Sequence, residues 1–211
     1  MKWQRVPLGP LETNCYLFVG DQQECIIIDP GDEGAKLHSI INKQKLKPIA
    51  ILLTHAHFDH IGAVDQMRDV FHIPVYIHKK EADWLNNPHL NGSQMFMMGN
   101  AVQQKPADYI IHQEDTLTIG EFTIELFETP GHSPGSLSYY IKDLSTVFAG
   151  DTLFLGSIGR TDLPGGNHQQ LLTSIKQKLL VLPDDTMVLP GHGAEKQLSG
   201  MKKRMNPFLA E

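Results

Sequence analysis

Short apolar runs of strand length alternate with amphipathic stretches along this chain. Cys15–Val19 and Glu24–Ile28 flank a Gly20-Asp21 turn and read as a hairpin. After the Asp29-Pro30-Gly31 break the pattern predicts a helix from about Glu33 to Gln44, then a buried strand at Ile49–Leu53. Ile61, Val64, Met67, Arg68 and Phe71 mark a second helix. A strand at Val75–His78 and a helix from Lys79 to about Asn86 follow. From Asn87 to Pro106 no period stands out, and long irregular segments in compact domains are often lids or binding loops. Strands return at Thr116–Ile119, Phe122–Phe127, Leu137–Ile141 and Thr146–Ala149. A Gly-rich loop, a helix near His168–Leu180, a strand at Met187–Leu189 and a short C-terminal helix complete the chain. Hairpins in both halves, with helices between and after them, predict two sheets packed face to face with helices outside, within one domain over residues 1–211.

Charge and composition narrow the partners. The formal charge of −6, with Lys and Arg scattered singly and in pairs, leaves no basic stripe for a phosphate backbone and argues against nucleic acid. The N-terminal MKWQRVPLGP has no continuous apolar core, and runs such as Ile49–Leu53 are too short to span a bilayer, so a cytoplasmic protein without a membrane partner is expected. Cys15 and Cys25 are the only cysteines, each in a strand-like run, and both are expected to be small buried hydrophobes, not a disulfide.

Candidate chemistry concentrates in THAHFDHIG, Thr54–Gly62, at the junction between a strand and a helix. His55, His57 and Asp59 share parity, so an extended backbone would turn them to one side while His60 projects differently as the helix begins. Imidazole and carboxylate ligands suit zinc, iron or manganese, and the lack of nearby cysteine disfavours a closed structural zinc site. A bland reading makes these solvated or capping residues, with Asp59 the helix N-cap. Several polar rings converging without partners would be costly, which favours metal. Three later strand ends run into Gly-containing turns that each carry a polar residue to the rim: Thr129-Pro130-Gly131-His132-Ser133-Pro134-Gly135, Phe148-Ala149-Gly150-Asp151-Thr152 and Leu189-Pro190-Gly191-His192-Gly193.

Taken in order, from the first hairpin to Gly193, these motifs resemble those of the metallo-β-lactamase superfamily. The resemblance implies an α/β (α+β) fold, a four-layer αββα sandwich. It implies one cation held by His55, His57 and His132, a second by Asp59, His60 and His192, and Asp151 bridging both. Two divalent metal ions follow as cofactors, most simply zinc, with iron or manganese as alternatives. Asp59 and Asp151 are then the catalytic carboxylates, and a metal-bridging hydroxide attacks an acyl carbonyl. Because ligand imidazoles must be neutral, metal and activity are expected to be lost together below roughly pH 5–6.

Asp59-His60 with Asp151 departs from the β-lactamase pattern, which replaces part of the second-metal set with arginine or cysteine, so antibiotic hydrolysis is not expected. Gly150–Phe154 followed by Gly156–Gly166 is most similar to short bacterial glyoxalase II-like hydrolases, and Thr129–Gly135 and Tyr139-Tyr140 fit that branch. The resemblance implies hydrolysis of a small acyl-thioester such as S-lactoylglutathione. Long glyoxalase II enzymes add a C-terminal helical domain with basic residues for glutathione; here only Lys202, Lys203 and Arg204 stand near that place, as a remnant of it or a solvated helix end. The thiol carrier therefore stays open.

Outside the ligands, Arg160 is the candidate for a substrate carboxylate, with an ion pair to Asp162 as the alternative. Met95, Phe96, Met97 and Met98 would make a pliable wall for a substrate arm, or else fill the core or a dimer contact. His38, His72, His78, His89, His112 and His168 lack ligand spacing and are expected to be surface or packing residues. The competing activity is a persulfide dioxygenase of the same fold, with one iron bound through His55, His132 and Asp151. A non-catalytic or nucleic-acid-processing member of the fold is a third class, set against the complete ligand set and the negative charge.

Overall fold

The computed structural model describes residues 1–97 and 99–203, with side chains as far as Met201. Met98, the Lys202 and Lys203 side chains, and Arg204, on which expectations were placed, lie outside the described residues. The chain divides into two compact units, Met1–His112 with Thr118–Phe122, and Gln113–Leu117 with the residues from Thr123 onward.

The first unit runs β1 (Lys2–Leu8), β2 (Thr13–Val19), β3 (Glu24–Ile28), α1 (Gly34–Lys43), β4 (Lys47–Leu52), α2 (Phe58–Ile61), α3 (Val64–Phe71) and β5 (Val75–His78). A 3-10 turn at Lys79–Trp84, α4 (Ser93–Phe96) and β6 (Tyr109–Ile111) complete it. Its six strands lie in sequence order, an antiparallel meander through β3 and parallel pairings from β3 to β6. Parallel pairing requires crossovers, which α1 and α3 supply, and the residues of β3 after Glu24 are buried throughout, as parallel strands usually are. Several features depart from the sequence pattern: the helix expected from Lys79 to about Asn86 is a 3-10 turn ending at Trp84, and α4 and β6 lie in or just after the stretch where no period stands out. β1 is an edge strand whose Pro7 and polar residues hide its period, and an edge tolerates proline. The helix expected from Ile61 to Phe71 is two, parted at Gly62-Ala63. There the chain passes so close to the Asp29-Pro30-Gly31 break that a Cβ on Gly31 would sit 1.7 Å from the Asp59 carbonyl oxygen, and one on Gly62 2.2 Å from that of Gly31.

The second sheet is built from β7 (Thr116–Ile119), β8 (Phe122–Glu128), β9 (Leu137–Ile141), β10 (Thr146–Gly150), β13 (Met187–Pro190) and β14 (Lys196–Gln197), in the order β14-β13-β10-β9-β8-β7. A small hairpin of β11 (Leu153–Phe154) and β12 (Ser157–Ile158) leaves β10. α5 (His168–Ser174) continues as a π-helical turn, Ile175–Leu179, and α6 spans Leu198–Lys203. Leu171, Leu172, Ile175 and Leu179 share one apolar core with Val147, Ala149 and Val188. The fold is thus mixed α/β with two major sheets, as the hydrophobic pattern predicts. Cys15 and Cys25 are free and buried, and among the described residues no helix is long and apolar enough to cross a membrane.

Candidate metal centre

Each unit gathers part of the expected ligand set at the carboxyl ends of its strands. In the first, β3 and β4 run parallel with Ile28 opposite Leu52, so Asp29 leaves β3 beside the end of β4, and its N–H donates to the Leu52 carbonyl at 3.2 Å. Its carboxylate is 2% exposed and accepts three hydrogen bonds: from Thr54 N at 2.8 Å, from Thr54 Oγ1 at 2.6 Å and from His60 Nδ1 at 2.9 Å. A carboxylate only accepts, so the Thr54 hydroxyl proton is committed to Asp29, and the hydroxyl oxygen is left to accept from His55 Nδ1 at 3.0 Å. Both rings are thereby held as the tautomer protonated at Nδ1, with the lone pair on Nε2. Asp29, His55 and His60 place ligand-type atoms within 4.8 Å of one another. The three bonds that Asp29 already accepts suit it to orient the two candidate ligand imidazoles, not to act as a ligand itself.

The Asp59 carboxylate accepts from Thr13 Oγ1 at 2.8 Å, and its Oδ2 lies 3.6 Å from His60 Nε2. That is too long for a hydrogen bond but fits two ligands sharing one cation at ~2.0–2.1 Å each. The His57 ring stands perpendicular to that of His55, centroids 4.8 Å apart, and 5.9 Å from Trp84. Fully buried Glu81, on the turn after β5, accepts from Ala56 N at 2.6 Å and ties down the ligand-bearing loop. The extended stretch ends at His57, which is the N-cap of α2, so alternation applies to His55 and His57 alone. Asp59 and His60 are aimed by the first helical turn, and Asp59 is not the cap.

In the second unit β8, β10 and β13 end at one sheet edge, since β9 runs antiparallel to both β8 and β10, and β13 runs parallel to β10. His132, Asp151 and His192 follow those three ends. Asp151 Oδ2 is 3.6 Å from His132 Nε2 and 3.6 Å from His192 Nε2, one oxygen set between two imidazoles at a ligand–ligand spacing. His132 Nδ1 donates to the Arg160 carbonyl at 2.8 Å, and a carbonyl can only accept, so this ring too presents the Nε2 lone pair. Gly159 lets that loop in: a Cβ there would lie 1.9 Å from the Asp151 carbonyl oxygen and 3.0 Å from His132 Nδ1.

Donor chemistry of this kind fits divalent cations well: neutral imidazoles and carboxylates, with buried acceptors behind the rings. Arg160 is found in the alternative that the sequence left open, its guanidinium bonding Asp162 through Nε at 2.7 Å and a terminal nitrogen at 2.8 Å. That contact holds the Asp162 carboxyl at about 2. Asp29, Thr13, Thr54 and Glu81 do not stand out in the sequence as parts of the site. Asp29-Pro30-Gly31 follows a strand just as Thr129-Pro130-Gly131 and Leu189-Pro190-Gly191 do, and that parallel is the one signal of Asp29.

A family model described as Metallo-beta-lactamase superfamily matches residues 8–192. YqgX of Bacillus subtilis, a probable metallo-hydrolase, is 54% identical over 209 residues, covering 99% of this chain and 98% of its own. GloC of Haemophilus influenzae, a hydroxyacylglutathione hydrolase, is 34% identical over 209 residues with the same coverage, 99% and 98%. Among solved structures, the BLEG-1 B3 metallo-beta-lactamase aligns with a TM-score of 0.96 at 50% identity over 100% of both chains. TTHA1623 in a di-iron-bound form aligns with a TM-score of 0.85 at 41% identity over 98% of this chain and 100% of its own. With the ligand types set on strand ends and the family match spanning nearly all of them, the chain belongs to the metallo-β-lactamase superfamily.

Proposed function

We propose that this chain is a dinuclear metal-dependent hydrolase that cleaves a small acyl-thioester. The observation that carries the reading is the locking of His55, His60 and His132 in the Nδ1–H tautomer by acceptors of the chain itself. Such an arrangement serves rings whose Nε2 must stay basic. His55, His57 and His132 would hold one cation, Asp59, His60 and His192 the other, with Asp151 shared. Two bound divalent cations supply Lewis acidity that brings a water's pKa from ~15.7 toward about 7. Asp29 and Thr54 orient two imidazoles, the Arg160 carbonyl orients a third, and Thr13 steadies Asp59. Arg160 is 53% exposed in a surface pair of the kind that contributes little stability, so its guanidinium can exchange Asp162 for a substrate carboxylate at small cost.

GloC, described as a hydroxyacylglutathione hydrolase, supports the thioester. BLEG-1, described as a B3 metallo-beta-lactamase, adds a β-lactam to the substrates that must be tried. TTHA1623, described as being in a di-iron-bound form, is the reason to assay iron as well as zinc. The test combines metal analysis of the purified protein with thiol release from a thioester panel and opening of a chromogenic β-lactam. Two metals per chain, thiol release, and loss of turnover in Asp151→Ala are expected. One iron per chain with oxygen consumption on a thiol persulfide would replace the hydrolase by a dioxygenase.

A further inference from the structure

Beside Asp59 the first unit carries a cleft of about 120 Å³ between the β1–β2 turn and the segment around α4. Leu11, Phe58, Met97 and Val102 give it apolar walls, and Asp32 and Asp59 are its acidic members. Leu11 is 52% exposed, Phe96 43% and Met95 68%, so Met95 and Phe96 do not fill the core. Phe96 stacks on Phe58 with centroids 5.8 Å apart, extending the wall from the residue next to Asp59.

The wall is firmly set. Buried Asn91 donates to the carbonyls of Trp84 at 3.0 Å and Val102 at 2.9 Å and accepts from Ser93 N at 3.0 Å, while Val102 N donates to Ser93 Oγ at 3.0 Å. On the other side, Gly9 N donates to Glu33 Oε2 at 2.8 Å and holds the β1–β2 turn. An apolar groove with a fixed shape, sharing Asp59 with the candidate metal centre, is suited to a substrate arm. Its volume is well below the ~300–1,000 Å³ of sites for drug-sized ligands, so that arm is small. Asp32, which lies outside the candidate ligand set, repels an anionic arm.

We infer that this cleft receives the apolar, uncharged acyl arm of the thioester, making the substrate class short-chain aliphatic or aryl acyl-thioesters in preference to acyl groups that carry a carboxylate. The inference rests on the hydrolase reading for the chemistry, and on the cleft for the specificity. At roughly 0.8 kcal/mol per buried methylene, two added methylenes raise kcat/KM by about tenfold.

The test uses acetyl, butyryl, benzoyl and succinyl thioesters of one neutral thiol, N-acetylcysteamine, with the metal-loaded full chain. Binding of the non-hydrolysable S-butyl thioether is followed in parallel by ligand-observed NMR. Butyryl is expected to exceed acetyl by about tenfold, and succinyl to be the poorest. In Leu11→Ser and Phe96→Ala the butyryl-to-acetyl ratio falls toward one and the thioether signal weakens, with circular dichroism reporting that each variant is folded. Asp32→Asn narrows the gap between butyryl and succinyl. Thioether binding without hydrolysis of any member upholds the cleft and overturns the hydrolase. Hydrolysis with no chain-length dependence and no thioether binding overturns the cleft and leaves the hydrolase standing. A doubled mass in solution that Leu11→Ser abolishes, with no thioether binding, assigns the patch to a second copy and overturns the inference.

Discussion

Replacing Gly159 with alanine adds a single uncharged methyl group, and the structure says where it goes. The Cβ would stand 1.9 Å from the carbonyl oxygen of Asp151, whereas real Cβ atoms essentially never approach a neighbour closer than 3.0 Å, so something must retreat by about 1.1 Å. Both sides of that contact are backbone, which rules out a side-chain rotation as the remedy. One side carries the carboxylate of Asp151, a candidate ligand. The other carries, one residue on, the carbonyl that accepts from His132 Nδ1 at 2.8 Å. Either retreat disturbs a candidate ligand.

The stability cost should be that of overpacking, about 1–3 kcal/mol. For a chain of this size that lowers Tm by roughly 2–4 °C per kcal/mol. The functional loss should be much larger, since a misplacement of ~1 Å is worth on the order of 10²-fold in rate, and disturbed support of a metal ligand 10–100-fold in affinity. Metal affinity by competition with a chromogenic chelator, the thermal melt, and turnover are the three readings. Gly156→Ala is the control on the same loop. A Cβ there meets nothing within 4 Å, and its φ of +78° costs only the left-handed strain of about 1–2 kcal/mol, so metal affinity should stay at the parent value. If Gly159→Ala binds metal and turns over like the parent chain, the spatial reasoning about the His132–Asp151 pair is wrong.

Asp29→Ala leaves three buried donors without an acceptor, and should cost on the order of 3–5 kcal/mol in a denaturant titration together with a fall in metal affinity. A mutant as stable as the parent would exclude the orienting role. Burial pushes the Cys25 thiol up to about 12 and holds that of Cys15 well above its ordinary value, so neither should react with iodoacetamide at pH 8 until the chain is unfolded, which intact-mass spectrometry reads directly. Hydrogen bonds from Lys36 and from Gly9 N lower the Glu33 pKa below its ordinary value. A depressed folded-state pKa means that the contribution is complete above the unfolded value of ~4.3 and fades as pH falls through the folded one. The protection factor of the Gly9 amide should therefore fall across that acid range and be low at all pH in Glu33→Ala; equal protection in both chains would remove Glu33 from the anchoring of the β1–β2 turn.

Much of this architecture is legible in the order of residues because burial and hydrogen bonding act locally. Val75–Ile77 is a continuous apolar run closed by His78, Leu137–Ile141 is apolar but for Ser138, and both Val75–His78 and Leu137–Ile141 appear as strands with the bounds that the pattern predicts. The histidine run is legible as well, since imidazoles crowded at a strand end are costly to bury unless something shares their lone pairs. β1, β6 and β14 are not: each is short or polar and sits at a sheet edge, where one partner suffices and the sequence is free to lose its period. The break at Gly62 is hidden because its cause is the Gly31 carbonyl, a contact made by a residue 31 positions away.

The same distinction explains why ligands can be recognised when their supports cannot. A ligand advertises itself by type, since few residues offer an imidazole or a carboxylate next to a glycine turn. A support is defined by what it touches. Asp29 is one of many aspartates, and becomes informative only when parallel pairing of β3 with β4 sets it beside Thr54 and His60. Arg160 shows the extreme case. The side chain, the part visible in the sequence, lies in an exposed pair with Asp162, while the backbone carbonyl, which every residue possesses, fixes the tautomer of His132. Arg160→Ala should therefore leave metal affinity intact and raise KM for thioesters whose thiol part bears a carboxylate, whereas Gly159→Ala, one position earlier, strikes the candidate metal centre.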